Sequence, residues 1–239
     1  MKALQPNFAV TNAVPLMHTT PFSGLRILAL SLFALLGSSV HAQKSDPAAL
    51  GILRELKAHY AAYKSMSMDF ALQIKDQENT MDETRKGSMW VQGGKFRIQM
   101  GEQFIISDTK SIWVYQEDVN EVQINNYDAD QEDFMSPSEL FNLTEADYLV
   151  LSGGTVSEGG ASFQVIELSP VDKSLDYHKI KLYVPAGSKT LKKAVLLGKD
   201  GIHYTYRIEK FSANPAVSEE TFRFYPERYL NIEVIDLRD

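Results

Sequence analysis

The spacing of apolar positions changes along this chain in a way that divides it into a short helical part and a long strand-rich part. Asp46-Pro47 offers an N-cap followed by proline at the first helical position, and Leu53, Leu56, Tyr60 and Tyr63 recur at three- and four-residue steps. The pattern predicts one amphipathic helix over 47–65, whose apolar stripe needs a sheet or lipid to cover it. From Met68 the period becomes two. Met68, Phe70, Leu72 and Ile74 alternate with polar residues, as on a strand with one wetted face.

Tight turns then fix a register. If Gly93-Gly94 is a two-residue hairpin, Val91 faces Phe96 and Met89 faces Ile98. Gly101-Glu102 and Asp108-Thr109 continue the meander. One sheet face then carries Met89, Val91, Phe96, Ile98, Ile105, Ile112 and Val114, and the other Trp90, Arg97, Phe104, Trp113 and Tyr115. Trp90 opposite Arg97 suggests a guanidinium stacked on an indole ring. A sheet with one solvated side has no need of two apolar faces, so either helices cover one face or one face lines a cavity.

Further along, Ser136-Pro137-Ser138 starts a short helical stretch bearing Leu140, Phe141 and Leu143, after an acidic segment running from Asp128 to Asp133. Gly153, Gly154, Gly159 and Gly160 read as a glycine-rich loop. Strands are expected at Phe163 to Leu168, Ile180 to Val184 and Leu191 to Leu197. Asp200-Gly201 signals a hairpin into the alternating Ile202, Tyr204, Tyr206 and Ile208, and the last strands are Phe222 to Tyr225 and Ile232 to Leu237.

Ahead of all this, Ile27 to Leu36 is a short apolar run after Arg26, ending in small residues and Val40-His41-Ala42. That is the form of a secretory leader with a small-residue cleavage site, and it is too short to span a bilayer, which takes about 20 apolar residues. Residues 1–42 are therefore expected to be removed, with translation starting at Met1 or Met17, and 43–239 to form a single domain. The chain has 24 basic and 31 acidic residues, net −7, and both basic residues before position 43, Lys2 and Arg26, fall in the leader. So acidic a chain repels nucleic acid and anionic membrane surfaces. It contains no cysteine, which excludes disulfides, thiolate chemistry and lipidation at a mature N-terminal cysteine.

Candidate chemistry is sparse. His59, His178 and His203 are far apart and lack metal-ligand spacing, so neither a catalytic metal nor an imidazole base is expected. Gly187-Ser188-Lys189-Thr190 has the residues of a phosphate loop in the wrong order, and Asp128, Asp130, Glu132 and Asp133 lack the glycine and terminal glutamate of a calcium loop. Glu219-Glu220 is one acidic pair among many. No cofactor is called for, and the chain reads as non-enzymatic.

A resemblance rests on Gly87-Ser88-Met89-Trp90-Val91, Phe96-Arg97-Ile98, Ser107-Asp108 before Ile112-Trp113-Val114-Tyr115, the Ser-Pro-Ser-Glu-Leu-Phe stretch, and the closing Phe222-Arg223-Phe224 and Asp236-Leu237-Arg238. In this order the features resemble the LolA-type periplasmic carriers of outer-membrane lipoproteins. The resemblance implies a mainly β fold, an incomplete antiparallel β-barrel lidded by short α-helices. Its apolar interior would take lipoprotein acyl chains from an inner-membrane lipoprotein-releasing ABC transporter, with an outer-membrane acceptor downstream. It assigns acyl contact to Phe96 and Ile98, and more loosely to Leu140 and Phe141; the register adds Met89 and Val91. A soluble, unlipidated periplasmic monomer follows. The alternative is a lipid-binding sensor or a carrier of another lipid on the same fold. Two departures stand out. Gly93-Gly94 replaces the family's Arg-Pro, whose arginine ties the lid shut, and Asp108-Thr109 replaces Asp-Gly.

Overall fold

The computed structural model describes residues 44–78, 80–127 and 139–238. The leader, the acidic segment Asp128 to Asp133 and the Ser136-Pro137-Ser138 helix start lie outside the described residues. Among the described residues one helix, α1 (Pro47–Ala61), precedes twelve strands: β1 (Ser65–Asp76), β2 (Asp82–Gln92), β3 (Lys95–Met100), β4 (Gln103–Ser107), β5 (Ser111–Gln116), β6 (Glu121–Asn126), β7 (Tyr148–Glu158), β8 (Ala161–Pro170), β9 (Tyr177–Pro185), β10 (Lys193–Gly198), β11 (Ile202–Ala213) and β12 (Glu233–Asp236). Single 3-10 turns occupy Glu139–Phe141, Glu219–Phe222 and Pro226–Arg228.

All twelve strands form one sheet in the order β12-β6-β5-β4-β3-β2-β1-β11-β10-β9-β8-β7. Its outermost strands do not pair with each other, so the barrel is unclosed. Every pairing is antiparallel except that of β12 with β6, which is parallel. The outer edge of β7 is partly satisfied by the segment before α1. Asp46 donates its backbone N–H to the Val150 carbonyl at 2.8 Å, and the Val150 N–H donates to Ser45 Oγ at 3.0 Å. That blunts an otherwise free edge.

The hairpin register is the one read from the turns. Met89 pairs with Ile98 and Val91 with Phe96 across β2 and β3, and Ile98 pairs with Ile105 and Ile105 with Val114 through β4 and β5. Gly93 and Gly101 both take φ +61° as the first central residue of their two-residue turns, where a type II′ turn calls for glycine. Thr109 sits at φ +77°, a conformation a β-branched residue rarely adopts. Asp108 holds that turn together, its carboxylate accepting from the N–H groups of Lys110 and Ser111 at 3.0 and 2.9 Å.

Different parts of the chain cover the inner sheet face and the outer face of β4 to β6. On the inner face a continuous apolar cluster joins Leu53, Leu56 and Tyr60 of α1 to Phe70 and Leu72 of β1, Met89 of β2, and Ile166, Ile180 and Leu182 on β8 and β9. On the outer face of β4 to β6, Ile106, Trp113, Tyr115, Val122 and Ile124 pack under Phe224 and Ile232 of the C-terminal segment. The second apolar face is thus roofed by the chain's own C-terminus.

Four local expectations differ. The helix ends at Ala61, not at 65, because Ser65 already begins β1, which pairs with β2 on one side and β11 on the other. The glycine-rich loop is β7 and its turn: Gly153 and Gly154 lie at a register shift between Ser152 and Thr155, and Gly159-Gly160 makes the hairpin to β8. At Gly153 a side chain would run into Val165, its Cβ 2.9 Å from that residue's Cγ1, so a bulge glycine is needed for packing. Phe222 to Tyr225 is not a strand but leaves a 3-10 turn and enters another. Phe222 and Phe224 are buried while Arg223 is exposed. The two-residue period is real, but the segment lies over a sheet face, where no ladder partner is available. Arg97 caps the Phe104 ring at 5.1 Å, reaching diagonally to β4 in place of the indole of Trp90.

Candidate functional site

The six residues singled out from sequence all belong to, or pack against, the inner apolar cluster. Met89, Phe96 and Ile98 are buried on β2 and β3, and Val91 packs half-buried beside them. Leu140 and Phe141 come from the 3-10 turn Glu139–Phe141 and meet α1 from the other side, with Phe141 and Tyr60 ring centroids 4.4 Å apart. Alternation along β3 explains the inward set: Phe96 and Ile98 point in, Arg97 points out.

Among the described residues the roof of this cluster is tightly packed. Between α1 and the turn runs a slit of about 10 Å³, bounded by Leu53, Leu56 and Tyr60 of α1, Leu140 and Phe141 of the turn, and Leu182 of β9. That is no more than the roughly 10–15 Å³ one water requires. Leu140 and Phe141 line this slit; Met89, Val91, Phe96 and Ile98 lie in the same cluster without lining it. At this slit, entry of a chain of methylenes requires α1 and the turn to part.

Few polar contacts hold them down. The Tyr60 hydroxyl accepts the Leu191 N–H at 2.8 Å in a buried bond that ties α1 to the segment before β10. Burial pushes the Tyr60 phenol up to about 12, against the opposing pull of the Leu191 N–H. Arg54 donates Nε to Glu145 at 2.8 Å, an exposed pair that contributes at most about 1 kcal/mol. Asp46 caps the helix, accepting from the N–H groups of Ala48 and Ala49 at 2.8 and 3.0 Å. The stripe of Leu53, Leu56 and Tyr60 was visible as an amphipathic pattern; that the Tyr60 hydroxyl reaches Leu191 has no local sequence signal.

Among the described residues no grouping of His, Asp and Glu side chains is suited to a metal ion. His59 shares a hydrogen bond with the Tyr63 hydroxyl at 2.9 Å, and Glu219 and Glu220 point to different partners, Lys95 and Arg228. No described helix is long and apolar enough to cross a membrane.

The family model described as outer membrane lipoprotein carrier protein LolA matches residues 61–225. The chain belongs to the LolA family. No curated protein matches it by sequence. Among solved structures this LolA-family chain is similar to an uncharacterized conserved protein from Thermus thermophilus, with 13% identity, 79% of this chain and 99% of that one covered, and a TM-score of 0.52. It is also similar to LolA superfamily protein NE2245 from Nitrosomonas europaea (14% identity, 74% and 97% covered, TM-score 0.42) and to lipoprotein LppX from Mycobacterium tuberculosis (15% identity, 73% and 99% covered, TM-score 0.44). At such identities the likeness to the Thermus protein speaks to the fold alone. Gly93 and Gly94 form the turn between β2 and β3, and among the described residues α1 is tied to the rest of the chain by Tyr60 to Leu191, Arg54 to Glu145 and Glu55 to Lys189.

Proposed function

We propose that this LolA-family protein is a soluble periplasmic carrier, exported after removal of residues 1–42, with 43–239 acting as a single domain. It would shield lipoprotein acyl chains against the inner sheet face and move them from an inner-membrane ABC transporter toward an outer-membrane acceptor. It works as a monomer, without catalysis or cofactor. The observation that carries the proposal is the family match across 61–225 on a chain whose apolar interior is roofed by one helix and one turn. Each methylene exposed to water costs about 0.8 kcal/mol, so a myristoyl-length chain crossing an aqueous compartment needs a sheath offering roughly 10 kcal/mol of burial. A carrier must also let go. An apolar cluster roofed by α1 and the turn through a few polar bonds suits both demands, because the contacts of α1 and Phe141 replace the acyl chain on release.

Acyl contact falls to Phe96, Ile98, Met89 and Val91 on the sheet and to Leu140 and Phe141 on the lid. The test is release: inner-membrane vesicles bearing the transporter and a radiolabelled triacylated lipoprotein are given ATP and the mature protein. Carrier function requires a soluble lipoprotein complex, and far less of it with Phe96→Glu. If the protein leaves the lipoprotein in the vesicles yet purifies with free lipid, the carrier assignment fails in favour of a lipid-binding sensor.

A further inference from the structure

The sheet face opposite the apolar interior carries a groove of about 620 Å³, walled on one side by β2 and β3 and on the other by the C-terminal segment. Trp90 and Arg97, directly paired across β2 and β3, form its sheet side. Arg223, Tyr225, Arg228 and Tyr229, with Glu220 and Phe224, form the rest of its charged and aromatic lining. Three guanidinium groups thus share one concavity in a chain whose net charge is −7.

Arg97 is the unusual member. It is half-buried, and among the described residues it makes no salt bridge or hydrogen bond through its guanidinium; its contact is the Phe104 ring at 5.1 Å. Burial disfavours its charge and draws its pKa below the ordinary arginine value. A partly desolvated cation gains from an anion beside it. The groove's carboxylate, Glu220, is engaged by Arg228 at 3.5 Å, and the Arg228 guanidinium also lies 4.1 Å from the centre of the Tyr225 ring. Arg223 sits 5.9 Å from the same ring. Rings lie beside the guanidinium groups of Arg97, Arg223 and Arg228, and a cation–ring contact leaves N–H groups able to donate.

We propose that this outer groove binds a phosphate ester: the phosphate on the arginines, with Arg97 at its base, and the glycerol- or sugar-like body against Trp90, Tyr225 and Tyr229. A tetrahedral anion with several acceptor oxygens suits several guanidinium forks better than a single carboxylate does. The ester is the headgroup of an anionic phospholipid or a free phosphorylated metabolite. The groove is separated from the acyl-binding interior by the sheet itself, so this assignment stands or falls independently of the carrier reading.

The chain has two tryptophans, and Trp113 is buried beneath the C-terminal segment outside the groove, so Trp113→Phe leaves Trp90 as the reporter. Its emission is followed at low salt on titration with glycerol 3-phosphate, with dihexanoyl-phosphatidylglycerol below its micellar concentration, with inorganic phosphate, and with uncharged dihexanoylglycerol. The proposal expects saturable changes with at least one ester, about tenfold weaker in Arg97→Gln and weakened also in Arg223→Gln, whose exposed side chain lies outside both apolar clusters and can be replaced without disturbing the fold. A response to glycerol 3-phosphate identifies the free ester as sufficient; a response to the phosphatidylglycerol alone, lost in both arginine variants, identifies the lipid headgroup. The proposal is overturned if neither ester gives a saturable change, if dihexanoylglycerol or inorganic phosphate matches the esters, or if both arginine variants bind as the parent does.

Discussion

Replacing Tyr60 by Phe removes one oxygen from the roof of the interior and isolates what holds α1 down. The lost group accepts the buried Leu191 N–H at 2.8 Å. Leaving a buried donor without a partner costs about 1–3 kcal/mol. The ring itself remains, so its packing on Phe141 at 4.4 Å and on Phe211 at 5.6 Å is kept. The loss is therefore local to the lid, and its size is set by the hydrogen bond, not by a cavity. With about 1.4 kcal/mol per factor of ten, Leu191 amide exchange should accelerate about tenfold or more, while β1 and β2 amides change only with the smaller global stability. Uptake of a fluorescent fatty acid should be faster in the same variant, because opening precedes entry. Unchanged exchange at Leu191, or unchanged uptake with faster exchange, would show that this bond does not govern access.

Three further outcomes follow from particular contacts. Gly87→Ala should destabilise by about 1–3 kcal/mol in urea unfolding despite alanine's better strand propensity, because its Cβ would lie 2.6 Å from the Phe70 ring and 2.7 Å from the Gln99 carbonyl. Thr109→Gly should stabilise by about 1 kcal/mol, as relief of the φ +77° backbone outweighs the added freedom of the unfolded chain; a loss of stability would refute the strain. With the Tyr60 phenol raised from the ordinary 10.0 to about 12, its contribution is fully present below pH 10 and is lost as pH rises through 12, about 2–3 kcal/mol in all. The sign follows from the neutral phenol being the form that the folded interior favours, so the unfolded chain gives up its proton first as pH rises. Stability measured by unfolding across that window should change differently for Tyr60→Phe, which has no proton to lose there; parallel curves would contradict the assignment.

Turn glycines make the β2 to β5 meander readable from sequence. A two-residue turn leaves a single register, and from Gly93-Gly94 and Gly101-Glu102 the inward and outward faces follow correctly, including the inward Met89, Val91, Phe96 and Ile98. The same residue misleads at Gly153-Gly154, where glycine marks a bulge inside β7 and not a loop, a distinction that depends on Val165 in the neighbouring strand. The C-terminal segment misleads for a related reason: alternation of Phe222 and Phe224 reports burial on one side, and burial against a sheet face produces the same period as membership of a sheet. The helix stripe is legible but its partner is not. Leu53, Leu56 and Tyr60 announce an apolar roof, while its closure by Leu191, Phe141 and Glu145 depends on contacts about 80 to 130 positions away in sequence.

One alternating strand serves two separate surfaces. On β3, Phe96 and Ile98 face the apolar interior and Arg97 the outer groove. A substitution at Arg97 should therefore leave acyl uptake intact, and one at Ile98 should leave the groove intact, unless the strand itself is displaced.

The central claim is that the interior beneath α1 takes acyl chains, and site-specific photocrosslinking tests it most directly. A benzophenone amino acid is placed at Phe141 or Ile98 in the inner cluster, and at Val119, which is 64% exposed on the turn between β5 and β6. Each protein is irradiated in the native periplasm and its adducts are identified by mass spectrometry. Acyl binding inside the sheet predicts lipoprotein acyl adducts at Phe141 and Ile98 and none at Val119. Adducts absent from both interior positions, or equally abundant at Val119, would contradict it.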